Sequence, residues 1–200
     1  MVALGALFLL TFVIRTFYIP SVSMVPTLRV RDVLLVDEMA YRFRGPRDGD
    51  IALFIPPVYS GGNDFVKRIV GVPGDAIRIT NGTVVRNGVP LREPYENEPP
   101  NYDLAIRDYD IYVNGTPLDH SKADVPPPSL WQHPDRVPRG FYFVLGDNRN
   151  YSDDSHVWGF VQASGRFAAG PLAGSGVSAG FTGRAFAVIW PGRRLQLLVQ

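Results

Sequence analysis

The chain has 200 residues, 46% of them hydrophobic, which suits one compact domain with a sizeable core. Its 20 basic and 19 acidic residues leave a formal charge of +1, without the concentrated basic patch that nucleic-acid binding calls for. The absence of cysteine excludes thiol nucleophiles, thiolate metal sites and disulfides; His120, His133 and His156 are too scattered to form a paired metal-ligand motif.

Residues 1–14 carry no charge, and apolar character resumes at Phe17-Tyr18-Ile19 after Arg15-Thr16. Taken as a helix through Ile19, the run spans about 28 Å, close to a hydrocarbon core of about 30 Å, with Arg15 reaching the headgroups. It lacks the basic start and small-x-small ending of a cleavable signal, so residues 1–19 are expected to be an uncleaved membrane anchor. Residues 20–200 then form a β-rich domain.

Alternation predicts strands at 30–36, 50–55 and 65–70, the last closed by Gly71-Val72-Pro73-Gly74. Asn81-Gly82 between two apolar triplets is a hairpin signal, repeated at Asn87-Gly88 and Asn114-Gly115. Between about 93 and 139 proline, aspartate and tyrosine accumulate, as in an inserted lobe. Residues 141–145 form an apolar strand, 164–183 a Gly/Ala-rich excursion, and 183–191 a last strand. Trp158 and Trp190 read as core, Trp131 as core or interface, and Arg193-Arg194 as a solvated charge pair.

Three segments carry chemistry. Pro20-Ser21-Val22-Ser23-Met24-Val25-Pro26-Thr27-Leu28 holds a serine between two prolines that stiffen the loop. Lys67-Arg68-Ile69-Val70-Gly71-Val72-Pro73-Gly74-Asp75 begins in a strand, where Phe65, Lys67 and Ile69 share one face and Val66, Arg68 and Val70 the other. A lysine with its ordinary pKa of ~10.4 is neutral on the order of once in a thousand near pH 7.4, so it serves as a base only when desolvated. A phenyl ring and an isoleucine beside Lys67 supply that setting, and the Ser23 hydroxyl needs such a base to become a nucleophile. The Ser23 N–H and the Ser21 hydroxyl are candidate oxyanion donors. Gly146-Asp147-Asn148-Arg149-Asn150-Tyr151-Ser152-Asp153-Asp154-Ser155 adds polar groups that can steer the lysine.

In this order behind an apolar start, the three segments resemble the serine, lysine and final boxes of the bacterial type I signal peptidase family, Ser/Lys-dyad serine endopeptidases. Asp50-Ile51-Ala52-Leu53-Phe54 is similar to the strand box between them. The resemblance implies Ser23 as nucleophile, Lys67 as general base, Ser21 as oxyanion-hole hydroxyl and Ser152 as the group orienting the lysine. Asp147, Arg149 and Asp154 would be supporting charges. It further implies a mostly β, antiparallel, barrel-like catalytic domain with an inserted lobe behind one transmembrane helix, and no cofactor or metal. Partners would be preprotein signal peptides with small residues at −1 and −3, the bilayer and the export translocon, with the active site on the exocytoplasmic side of the cell membrane. Met24, Ile51, Leu53 and Val66 are candidates for the specificity-pocket walls. Val22 replaces the usual glycine, and Asn150 and His156 replace an aspartate and an arginine, so one supporting ion pair is expected to be lost.

Three rival readings have their own signals. A self-cleaving repressor shares the serine-methionine box and lysine but would need a DNA-binding helix pair. Gly176-Val177-Ser178-Ala179-Gly180 spells the esterase G-x-S-x-G, which works only on a strand-to-helix turn. A catalytically inactive, anchored binding protein would keep the fold and survive Ser23→Ala.

Overall fold

The computed structural model describes residues 13–58, 63–166, 172 and 178–198. The first strands are β1 (Ile14–Tyr18), β2 (Val33–Asp37), β3 (Ile51–Ile55) and β4 (Phe65–Gly71). They are followed by β5 (Ile77–Thr80), β6 (Thr83–Arg86), β7 (Val89–Pro90), β8 (Leu104–Arg107), β9 (Asp110–Val113) and β10 (Thr116–Pro117). The remainder are β11 (Phe141–Leu145), β12 (Val161–Gln162), β13 (Ser164–Arg166), β14 (Ser178–Trp190) and β15 (Gln196–Leu197). The α-helices are single turns, α1 (Ala40–Phe43) and α2 (Ser155–Trp158).

Two antiparallel sheets result. The larger has the order β1-β2-β14-β3-β4-β11-β12, with β13 and β15 also paired to β14. The smaller has the order β10-β9-β8-β5-β6-β7. Its β8–β10 come from the segment expected to be an inserted lobe, while β5–β7 precede that segment. Asn81, Asn87 and Asn114 have positive φ (49°, 53° and 51°), as do the glycines that follow them, so all three Asn-Gly pairs turn hairpins.

The larger sheet is covered on both faces, which explains why β3 reads as an unbroken apolar run. Ile51 and Leu53 pack with Ile19, Met24, Leu28, Leu34, Val36, Val66 and Val188. Ala52 and Phe54 turn to the other side, with Ile69, Tyr142, Val144 and Trp158. Leu53 and Phe54 are each 0% exposed, and full burial of such side chains contributes about 1.5–3 kcal/mol apiece. A third cluster, including Val70, Ile79, Ile111, Trp131, Phe143 and Phe160, joins the smaller sheet to the larger.

Four expectations change. The helix foreseen over 1–19 does not continue through Ile19, because Ile14–Tyr18 is strand β1, paired from Ile14↔Asp37 to Tyr18↔Val33. Ile14, Thr16, Phe17 and Tyr18, four of the five residues of the strand, favour an extended chain once β2 offers an edge. Residues 1–12 of that anchor lie outside the described residues, and no described helix is long and apolar enough to cross a membrane. Arg15, expected at the headgroups, pairs with Glu38 at 3.0 Å and Asp64 at 2.6 Å. Trp190, expected in the core, is 62% exposed at the end of β14, whereas Trp131 and Trp158 are buried. The ends of the Gly/Ala-rich excursion are strands, with Ser164↔Gly180 and Arg166↔Ser178 in register between β13 and β14.

Candidate active site

The serine loop is held from beneath by apolar side chains and from the side by one asparagine. Met24 and Leu28 are 1% and 0% exposed, and the Met24 carbonyl accepts from the Leu28 N–H at 2.8 Å, making a tight turn. Asn148 donates its backbone N–H to the Ser23 carbonyl at 3.0 Å and its side-chain amide to the Val22 carbonyl at 3.1 Å. Ser23 is thereby fixed and buried, with its Oγ 3.3 Å from the Ser21 Oγ. Val22, in place of the family's usual glycine, turns its side chain to solvent.

Lys67 lies in β4 opposite Ala52 and is 4% exposed. Phe65 and Ile69 pack on the cluster around Phe54 and Trp158, as the alternation of β4 requires. Burial pushes the Lys67 ammonium down from its ordinary 10.5 to about 8, against the opposing pull of the Asp154, Asp153 and Asp147 carboxylates. Lys67, Ser23 and Ser21 line one cleft of about 680 Å³, together with Tyr18, Phe65, Val66, Tyr151 and Asp153. Of the foreseen pocket walls, Val66 lines this cleft. Met24 and Leu53 belong to the core beneath, and Ile51 borders a separate cleft beside Arg68 and Tyr95.

Gly146 is the point where the segments meet. A Cβ there would collide with the Ser152 Oγ and with the Ser23 carbonyl oxygen, both nearer than 3.0 Å, so no side chain fits between them. The Ser152 hydroxyl is brought against the serine loop and buried, but makes no hydrogen bond among the described residues; the expected bond from Ser152 to Lys67 is not formed.

The supporting charges take partners other than the lysine. Asp147 receives a fork from Arg68 (Nε and Nη2, both 2.8 Å) and the Thr27 hydroxyl at 2.5 Å, so it joins β4 to the serine loop. Arg68 also donates to the Gly49 carbonyl at 3.0 Å and lies 3.7 Å over the Tyr95 ring. Arg149, fully buried, donates to the Gly146 carbonyl at 3.0 Å and clasps Glu93 at 2.8 and 2.9 Å.

Asp154 accepts from the Gly146 N–H at 2.9 Å and from the His156 Nδ1 at 2.7 Å. Burial alone would raise its pKa, but the His156 bonds, the Lys67 charge and the Gly146 N–H hold it below the usual carboxylate range. The ion pair expected to be lost at His156 is therefore replaced: the imidazole bonds Asp154 and stacks on Tyr102 at 4.3 Å. Asn150 binds the smaller sheet's approach, donating to the Pro99 carbonyl at 3.0 Å.

Sequence reasoning missed Arg68, Asn148, Thr27 and Glu93. Arg68 had a signal, a second cation beside Lys67 in an otherwise apolar strand. Among the described residues no three His, Cys, Asp or Glu side chains converge to hold a metal ion. Ser178 of the G-x-S-x-G string begins strand β14, not a strand-to-helix turn, so it is no nucleophile elbow.

A family model described as "Signal peptidase, peptidase S26" matches residues 1–169. The chain belongs to this signal peptidase family. A probable signal peptidase I-1 from a Synechocystis strain is 42% identical over 162 residues, 78% of this chain and 68% of the relative. A signal peptidase I from Leptolyngbya laminosa is 36% identical over 196 residues, 95% and 75% of the two chains. A solved signal peptidase I from Enterococcus faecalis V583 matches at 31% identity and a TM-score of 0.40, over 60% of this chain and 91% of that one. Membership of the S26 peptidases makes this chain a peptide hydrolase, and it gives the cleft around Ser23 and Lys67 a chemistry to explain.

Proposed function

We propose that this signal peptidase removes signal peptides from exported preproteins with Ser23 as nucleophile and Lys67 as general base. The observation that carries the reading is a buried lysine, neutralised near pH 8, lining the same cleft as a buried serine. The neutral Lys67 Nζ takes the Ser23 proton as Oγ attacks the scissile carbonyl carbon. The oxyanion is met by the Ser23 N–H and the Ser21 hydroxyl. The Lys67 ammonium then protonates the departing amine, leaving an acyl-Ser23 ester. Lys67 next deprotonates water, which attacks that ester, and hands the proton to the departing Ser23 Oγ as the signal peptide leaves with its new carboxylate. Ser152, buried against Gly146 with no partner for its hydroxyl among the described residues, is the group that orients the Lys67 amine during the reaction, while Asp147, Arg149 and Asp154 hold the loop.

Small residues at −1 and −3 of the substrate suit a cleft walled by Val66 and Phe65. Attachment to the cell membrane, with the cleft on its exocytoplasmic side beside the export translocon, rests on the family resemblance; the uncharged run ahead of β1, about 20 Å if helical, is short of a full span by itself. The test is cleavage of a model preprotein by the detergent-solubilised chain, with sequencing of the new N-terminus. Ser23→Ala and Lys67→Ala are each expected to lose at least about 10³-fold in kcat/KM. Lys67→Arg is expected to be equally inactive, since a guanidinium stays protonated. Robust turnover by Lys67→Arg overturns the lysine-base mechanism.

A further inference from the structure

Away from the cleft, two turns build a second polar concavity. In the first, the Asp32 carboxylate accepts from the Arg29 N–H at 2.8 Å, and the Asp32 N–H returns to the Arg29 carbonyl at 2.9 Å. Arg31 takes a positive φ of 76°, and its N–H bonds the Ile19 carbonyl at 2.9 Å. This closure turns the side chains of Arg29, Val30 and Arg31 outward, all three exposed. In the second, a 3-10 turn at Gly192–Arg194 follows Trp190-Pro191 and directs Arg193 into solvent.

Arg194 locks the turns together, with Nε 2.8 Å from Asp32 Oδ1 and Nη2 2.9 Å from Oδ2 and 3.0 Å from the Thr27 carbonyl. Asp32 is 1% exposed and is engaged by that pair. Between the turns lies a concavity of about 450 Å³ lined by Arg29, Val30, Arg31, Asp32, Trp190, Pro191, Arg193 and Arg194. Four arginines thus line the concavity: Arg194 is bound to the Asp32 carboxylate, and Arg29, Arg31 and Arg193 are exposed.

We propose that this concavity is a binding site for the phosphate headgroup of an anionic phospholipid. Guanidinium forks match phosphate oxygens, which accounts for the charge. The apolar residues around it decide for a bilayer over a dissolved anion. Trp190 is 62% exposed, Val30 42%, and Tyr18 52%. Trp190 and Tyr18 both pair with Val33 of the intervening β2, so they stand at one end of the sheet. Tryptophan and tyrosine beside arginine is the composition of a surface seated at the headgroup level. Because Tyr18 also lines the cleft holding Ser23 and Lys67, a headgroup held here brings that cleft down onto the lipid surface.

The test reconstitutes the full chain into nanodiscs of phosphatidylcholine alone or with roughly one-third phosphatidylglycerol, and reads quenching of Trp190 by lipids brominated near the headgroup. Trp131 and Trp158 are 7% and 2% exposed, and Trp190→Phe gives their background. Quenching is expected with phosphatidylglycerol and to be much weaker without it. Each of Arg29→Gln, Arg31→Gln and Arg193→Gln should shift the phosphatidylglycerol dependence about fivefold, and the triple variant should abolish it. Near-UV circular dichroism checks the triple variant's fold; if it is lost, the single variants decide. Equal quenching in both lipids, no quenching in either, or full quenching in the triple variant overturns the proposal. Release of Trp190 by millimolar inorganic phosphate would identify a free-anion site and also overturns it. The readout does not use peptide cleavage, so it stands apart from the catalytic reading of Ser23 and Lys67.

Discussion

Replacing Lys67 by methionine should stabilise the fold at neutral pH, and the gain should vanish in alkali. The side chain is 4% exposed, and burial brings its pKa from 10.5 to about 8. Between those values the unfolded chain carries a proton that the folded chain has shed, so wild-type stability rises with pH there, by about 1.4 kcal/mol per pH unit. Below pH 8 both states are protonated, and the folded state bears the whole cost of the buried ammonium, about 3 kcal/mol. Methionine fills nearly the same space with no charge to desolvate. Lys67→Met should therefore gain about 3 kcal/mol over wild type at pH 7, falling to the fixed packing difference between the side chains above pH 10.5. Guanidinium denaturation followed by tryptophan fluorescence at pH 7, 8, 9 and 10, in the same detergent, measures the difference directly. Other titrations cancel between the two proteins. A stability difference that stays constant from pH 7 to 10 would refute the premise that Lys67 is desolvated. The same premise makes wild-type kcat/KM climb about tenfold per pH unit up to pH 8 and then level off.

Other substitutions probe the supports of the site. Gly146→Ala forces a methyl group onto the Ser23 carbonyl and Ser152, so preprotein cleavage should fall at least about 100-fold, measured as kcat/KM. Arg68→Leu leaves the buried Asp147 carboxylate without its fork and should cost about 3–5 kcal/mol in denaturant unfolding. His156→Ala removes one bond to Asp154 and the stack on Tyr102, and should lower stability by about 1–2 kcal/mol while His156→Gln recovers part of it.

Local chemistry was legible in the sequence where a residue type dictates its own backbone. Asn-Gly announced three hairpins, but the turn at Asp108-Tyr109 between β8 and β9 was hidden: both residues have positive φ (54° and 63°) without a glycine. The face shared by Phe65, Lys67 and Ile69 followed from period two alone. What alternation cannot give is a partner 79 residues away, as with Arg68 and Asp147, or the choice of side for a terminal residue. Trp190 ends a long strand and looks like core, yet beside the two turns it is left 62% exposed. Arg15 likewise found carboxylates 23 and 49 positions onward, where an apolar neighbourhood had pointed to lipid.

The clasp of Asn148 on the serine loop sets a condition on the chain. The segment that supplies it, Gly146–Asp154, follows directly on β11, which pairs with β4, the strand that carries Lys67. The geometry of the Ser23 loop therefore depends on residues more than 120 positions further along the chain, and on the β4–β11 pairing that sets them there.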